Sequence, residues 1–202
     1  MSRGVIVAGE GFVEPQLRYP HYRLREDGVV TEFATLTGEA VSGACGTTVE
    51  PTVDADDGRF ERGFEFVVVP GATALDRELS DTARARLSAL SRSASVFACV
   101  GRGVSALIDL GEVEGRLVTG PTELATAVEA AGGRVTGERV TVDGRLVTGR
   151  DTDALPFFVM AVRNALAIPQ DADAAVRERS FQERARWSAG EPRGADSRDE
   201  SA

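Results

Sequence analysis

Short apolar runs alternate with amphipathic stretches along most of this chain. The runs at 4–8, 64–69 and 96–99 have the length and near-continuous hydrophobicity of strands covered on both faces of a sheet. The stretches at 15–27 and 76–91 have helical spacing. Strands that alternate with helices predict an α/β fold, with a mostly parallel sheet between two helical layers. The other predicted elements are strands at 29–36 and 116–119, a hairpin turning at Asp143-Gly144, and helices at 122–131 and 153–168.

The amino-acid composition changes at Pro169. Residues 1–168 carry the apolar pattern of one folded domain, and the chain of 202 residues is short enough for a single core. We predict a peripheral charged helix over 169–187, in which Phe181 and Trp187 are isolated apolar positions that either anchor the helix or dock a partner. Residues 188–202 are rich in Gly, Ser, Asp, Glu and Arg, which predicts a disordered tail.

Charge and composition exclude several classes of function. A net charge of −9 argues against nucleic acid or an anionic membrane as the main partner. The chain has two cysteines and one histidine without metal-ligand spacing, so we expect no metal. Gly9-Glu10-Gly11 lacks the third glycine of a dinucleotide fingerprint, so we expect no cofactor. Few cysteines, no signal peptide and no membrane span predict a cytoplasmic protein.

Cys99 is the candidate reactive residue. It ends an apolar run, and the glycines that follow it open a helical stretch, as in a turn that lifts a nucleophile to the carboxyl edge of a sheet. The positive end of the next helix would stabilise a thiolate there. The loops at 10–16 and 70–76 also follow strands, and parallel strands bring such loops to one edge. The alternative is that Cys99 is a small buried hydrophobe.

Several motifs resemble those of one protein family. Tyr19-Pro20-His21-Tyr22-Arg23-Leu24 resembles a Y-P-x-x-R-L signature, Val68-Val69-Pro70-Gly71-Ala72 a V-x-P-G-G strand end, and Ala98-Cys99-Val100-Gly101 an A-x-C-H-G elbow. These are motifs of the PfpI family of intracellular-protease-like proteins, part of the DJ-one superfamily. The resemblance extends from Gly4 to Leu166. It implies a flavodoxin-like three-layer sandwich, related to class I glutamine amidotransferases, in a homodimer or higher homo-oligomer.

The resemblance also implies roles for individual residues. The family's nucleophile falls on Cys99, and a glutamate that hydrogen-bonds its sulfur falls on Gln16. An acid that acts across the subunit interface falls on Asp76, for which helix capping is the alternative. The backbone N–H groups implied for the oxyanion hole are those of Gly71, Ala72 and Val100.

Two departures weaken the catalytic interpretation. At the position of the family's histidine, directly after the cysteine, this chain has Val100. His21 lies about 140° around the first helix from Gln16, so it should point away from the site in its own subunit. The Gln16 amide can donate a hydrogen bond to a thiolate but cannot transfer a proton. Glu10 or Glu14 could supply a carboxylate instead, and Arg102 could offset the charge of Asp76.

Two functions of different classes remain. In the first, Cys99 acts on small electrophiles or oxidants, in a hydrolase, glyoxalase-like or protein-protective role, or on a peptide-like substrate. Peptidase and glutaminase activities are disfavoured because both need the missing histidine. In the second, the chain is a non-enzymatic relative used for redox sensing, ligand binding or chaperone-like protection.

Overall fold

A computed structural model of the protein describes residues 2–53 and 64–167. The α-helices are α1 (Glu14–Glu26), α2 (Asp81–Ser93), α3 (Ser105–Asp109), α4 (Ala125–Ala130) and α5 (Leu155–Ala165). The strands are β1 (Arg3–Ala8), β2 (Val30–Thr35), β3 (Val41–Ser42), β4 (Thr48–Val49), β5 (Phe66–Val69), β6 (Val96–Val100), β7 (Leu117–Val118), β8 (Arg134–Val135), β9 (Val140–Asp143) and β10 (Leu146–Gly149). Short 3₁₀ turns lie at Thr73–Leu75, Gly101–Val104, Thr122–Leu124 and Thr152–Ala154. The predicted segments 169–187 and 188–202 lie outside the described residues.

A six-stranded sheet in the order β2-β1-β5-β6-β10-β9 forms the centre of the fold. Its pairings are parallel except for that between β10 and β9. Strands β3 and β4 form a small hairpin, and β7 and β8 a second parallel pair. The predicted flavodoxin-like α/β sandwich with a mostly parallel sheet is confirmed.

The order of the strands decides which helices share a face. The step from β1 to β2 runs in the opposite direction across the sheet from the step from β5 to β6. Because such crossovers are right-handed, α1 and α2 lie on opposite faces. Helix α5 packs against α1, so these two helices cover the same face. Strands β5 and β6 are buried along their whole length, as a sheet covered on both faces requires.

The start of α2 differs from the prediction. The helix begins at Asp81, after the N-cap Ser80, whose side chain accepts a hydrogen bond from the Ala83 N–H at 3.3 Å. Asp76 precedes that cap and is not part of the helix. The interpretation of Asp76 as the helix cap is therefore wrong, because the serine closer to the helix performs that role.

His21 is packed between α1 and β2. Its ring lies against Phe33, with 4.7 Å between centroids, and its Nδ1 is 2.7 Å from Thr31 Oγ1. Burial lowers the pKa of His21, and the charge of Arg25 lowers it further. The single histidine of the chain thus packs α1 against β2.

This environment predicts a pH dependence of stability. The folded chain holds the pKa of His21 below its unfolded value of about 6.5, so the unfolded chain takes up more protons as the pH falls. Stability should therefore decrease below about pH 6.5. In urea unfolding between pH 7.5 and pH 5, wild type should lose more stability than His21→Gln. Parallel curves for the two proteins would contradict the prediction.

Candidate functional site

Cys99 lies inside the sheet. It belongs to β6, where it is opposite Val69 of β5 and Thr148 of β10, and its exposed fraction is 0%. Burial raises the pKa of the Cys99 thiol, and the carboxylate of Glu112 raises it further. The prediction that Cys99 stands exposed on the turn is therefore wrong.

The tight turn begins two residues later. Strand β6 ends at Val100, and Gly101 has φ of +59°, in the left-handed region that favours glycine. Gly103 is also constrained, because a Cβ there would lie 2.1 Å from the carbonyl oxygen of Val69. Aligning the final glycine of the A-x-C-H-G pattern with Gly103 places its cysteine at Gly101 and its histidine at Arg102. In this register the nucleophile position carries no side chain.

Gln16 reaches the turn but not Cys99. Its Oε1 accepts a hydrogen bond from the Gly71 N–H at 2.8 Å, and its Nε2 donates to Thr152 Oγ1 at 3.0 Å. A Cβ built on Gly101 would lie 2.8 Å from that Nε2. The family position of Gln16 therefore points to the correct turn, although the cysteine is not there.

Cys99 and Gln16 lie on opposite faces of the sheet. A Cβ built on Gly149 would lie 3.1 Å from Val100 Cγ2 and 3.0 Å from Phe158 Cδ2 of α5, which places Val100 on the face of α1 and α5. Side chains alternate along a strand, so Cys99 faces the other way. The predicted hydrogen bond between Gln16 and the Cys99 sulfur is wrong for this reason.

The three predicted oxyanion donors are in different environments. The Gly71 N–H is directed at Gln16 Oε1. Ala72 is buried in extended backbone, where it forms an isolated bridge with Phe12. Val100 is in strand β6, opposite Gly149, rather than on the turn. Of these groups, the Gly71 N–H is in hydrogen-bond contact with a side chain from the predicted site.

Asp76 forms an ion pair at the same edge of the sheet. Its Oδ1 lies 2.9 Å from Arg102 Nη1, and Arg102 Nη2 lies 3.7 Å from Glu123 Oε1. The side chains of Asp76 and Arg102 are both partly exposed. The predicted compensation of Asp76 by Arg102 is confirmed. Because the residue at the histidine position is an arginine, the turn has no imidazole there to take up and return a proton.

Glu10 and Glu14 hold the β3–β4 hairpin. The Ser42 N–H donates to Glu10 Oε2 at 3.0 Å, and the Cys45 N–H donates to Glu14 Oε1 at 2.6 Å. Burial would raise the pKa of Glu14, but hydrogen bonds from its own backbone, Cys45 and Thr47 lower it. A hydrogen bond to Glu14 and the charge of that carboxylate raise the pKa of the exposed Cys45 thiol. Neither glutamate replaces the acid expected beside Cys99.

Within residues 2–53 and 64–167, no group of three or more His, Cys, Asp or Glu side chains is placed to hold a metal ion. No helix in these ranges is long and apolar enough to cross a membrane.

Sequence comparisons identify relatives over most of the chain. An uncharacterized protein of Archaeoglobus fulgidus is 30% identical over 157 residues, covering 77% of this chain and 93% of the relative. A protein named deglycase from Thermococcus kodakarensis is 27% identical, with 72% and 88% covered. General stress protein 18 of Bacillus subtilis is 32% identical, with 73% and 87% covered.

Solved structures share the fold. Drosophila melanogaster DJ-1beta matches with a TM-score of 0.75 at 20% identity, covering 88% of this chain and 97% of that one. A two-domain Anabaena variabilis protein with DJ-1/ThiJ/PfpI-like and ferritin-like domains also matches with a TM-score of 0.75, at 21% identity. The match covers 85% of this chain but 51% of that longer protein. The DJ-1/PfpI family model matches residues 3–165, which confirms the resemblance seen in the motifs, and the chain belongs to the DJ-1/PfpI family.

Proposed function

We propose that this protein is a non-catalytic, ligand-binding member of the DJ-1/PfpI family. The observation that carries the proposal is the glycine at the positive-φ turn, Gly101, beside Gln16. A side chain at that position would contact the Gln16 carboxamide, whose oxygen accepts a hydrogen bond from the Gly71 N–H. Glycine has no side-chain atom that can act as a nucleophile. The groups around Gly101 can therefore bind a ligand but cannot attack it.

The environments of both cysteines support this proposal. Thiol chemistry needs an accessible thiolate. Cys99 is fully buried with a raised pKa, and Cys45 is exposed, but its neighbour Glu14 also raises its pKa. Cys45 lies in the loop that joins β3 to β4, where its N–H donates to Glu14 Oε1. Neither sulfur therefore has the anion-stabilising surroundings of an activated nucleophile, since the Glu14 carboxylate beside Cys45 disfavours a thiolate there.

A cysteine-dependent enzyme is the second candidate. It is favoured by the names of three archaeal relatives, each called a deglycase. In that case Cys99 would have to become accessible through a rearrangement of β6. A cytoplasmic location and a homo-oligomer are compatible with either candidate and remain predictions.

Thiol labelling distinguishes the two candidates. In the Cys45→Ser variant, Cys99 should react with a maleimide at pH 8 at least about a hundredfold more slowly than Cys45 does in Cys99→Ser, because labelling requires opening of the sheet. In urea the two variants should react at similar rates. Fast labelling of native Cys99 would overturn the proposal.

Turnover provides a second measurement on the same variants. Consumption of a small dicarbonyl such as methylglyoxal should remain at the background rate with wild type and be unchanged in Cys99→Ser. A measurable rate that is lost in Cys99→Ser but kept in Cys45→Ser would instead establish the enzyme.

A further inference from the structure

The carboxamide of Gln16 occupies a narrow space at the carboxyl edge of the sheet. The walls of this space, here named the carboxamide slot, are Gly71, Gly101 and Thr152. These residues follow β5, β6 and β10, three adjacent strands. The carboxyl ends of parallel strands are where α/β folds bind ligands. The slot is therefore at the position where a ligand is expected.

Both glycines are required for the slot. A Cβ built on Gly71 would lie 2.9 Å from Gln16 Oε1, and one built on Gly101 would lie 2.8 Å from Gln16 Nε2. Both distances are shorter than van der Waals contact. Because neither glycine carries a side chain, a flat group fits between Gly71 and Gly101.

The slot also provides complementary hydrogen-bonding groups for an amide. The Gly71 N–H donates to the amide oxygen at 2.8 Å, and Thr152 Oγ1 accepts from the amide nitrogen at 3.0 Å. The Gln16 side chain is buried, with 5% of the residue exposed. An amide in this position exchanges its hydrogen bonds to water for two to protein.

We propose that the carboxamide slot is a binding site for small primary carboxamides, and that Gln16 closes it as an internal ligand. This inference rests on the proposed non-catalytic function. A ligand would place its oxygen at the Gly71 N–H and its nitrogen at Thr152, in place of Gln16. The neighbouring cation, Arg102, is paired with Asp76 and Glu123, so a carboxylate gains less than an amide there.

The first experiment compares acetamide binding to wild type and Gln16→Ala. Binding is followed by the amide resonance of Gly71 in ¹⁵N-labelled protein. The alanine variant should bind acetamide at least about tenfold more tightly, because the ligand no longer displaces two hydrogen bonds. Acetate should bind Gln16→Ala more weakly than acetamide. Equal acetamide affinity in wild type and variant would overturn the proposal, as would tighter binding of acetate.

A second variant tests the geometry. Adding Thr152→Val to Gln16→Ala removes the acceptor of the amide nitrogen and should weaken acetamide binding several-fold, while Thr141→Val, at a buried threonine on β9, should not. If Gln16→Ala fails to fold by circular dichroism, Gln16→Ser carries the same comparison. A folded variant whose Gly71 resonance does not respond to acetamide excludes the slot.

The two proposals fail separately. Labelling of Cys99 and turnover of the dicarbonyl, measured on the same preparations, decide whether the protein is a thiol enzyme. Acetamide binding decides only whether the slot takes an amide. A protein that turns over the dicarbonyl through Cys99 refutes the proposed function whatever the acetamide result.

Discussion

Replacing Arg163 by alanine should lower the free energy of unfolding by about 3–5 kcal/mol. Arg163 Nε lies 2.8 Å from Asp27 Oδ2, and the side chains are 10% and 0% exposed. This pair joins α5 to the end of α1. Alanine removes the guanidinium and leaves the buried Asp27 carboxylate without that partner. Removing one member of a buried ion pair is strongly destabilising because the remaining charge stays buried.

Two variants serve as controls in urea unfolding. Glu78→Ala removes an ion pair with Arg84 in which the glutamate is 81% exposed, and it should cost less than about 1 kcal/mol. Asp27→Asn combined with Arg163→Met removes both charges and should recover much of the lost stability. A loss below about 1 kcal/mol in Arg163→Ala would show that the pair is not desolvated as the structure describes.

Gly103→Ala should destabilise the protein by about 3 kcal/mol or more. The new Cβ would lie 2.1 Å from the carbonyl oxygen of Val69 and 3.0 Å from its carbonyl carbon. Both are backbone atoms of β5, so the turn after β6 and the end of β5 must separate. No rotation of a side chain relieves this contact.

Gly111→Ala is the matched control for this substitution. Gly111 has φ of +70°, but a Cβ built there would have no heavy atom within 4 Å. Alanine at this position therefore strains the backbone without a steric clash. Its expected cost is about 1–2 kcal/mol. Urea unfolding of both variants separates the two effects. A Gly103→Ala loss no larger than that of Gly111→Ala would contradict the close approach of β5 and the turn.

The fold can be predicted from the sequence because its signals are local. The continuous apolar runs of β5 and β6 are typical of strands covered on both faces of a sheet. The residues between these runs have helical spacing, which predicts a helix that connects two parallel strands. The sequence also places the loops after these strands at one edge, since parallel strands allow no other arrangement. The motif at Tyr19–Leu24 and the turn at Pro70-Gly71 indicate the family.

The site can be predicted only in part. The resemblance to the family predicts Gln16 as a site residue, and its carboxamide does lie against the Gly101 turn. The sequence assigns its partner to Cys99 because a cysteine after an apolar run resembles an elbow, whereas the two glycines at 101 and 103 are the better signal. Asp76 is also identified, but its contact with Arg102 depends on how two separate loops approach each other.

The sequence by itself determined the α/β sandwich, the edge at which a site could form and the residues available there. Tertiary structure decided where β6 ends, and that position fixes the faces to which Cys99 and Val100 point. The physical reason is the two-residue repeat of a strand, which sends neighbouring side chains to opposite faces. An apolar run contains no signal for its last paired residue, because pairing with β5 and β10 sets that limit.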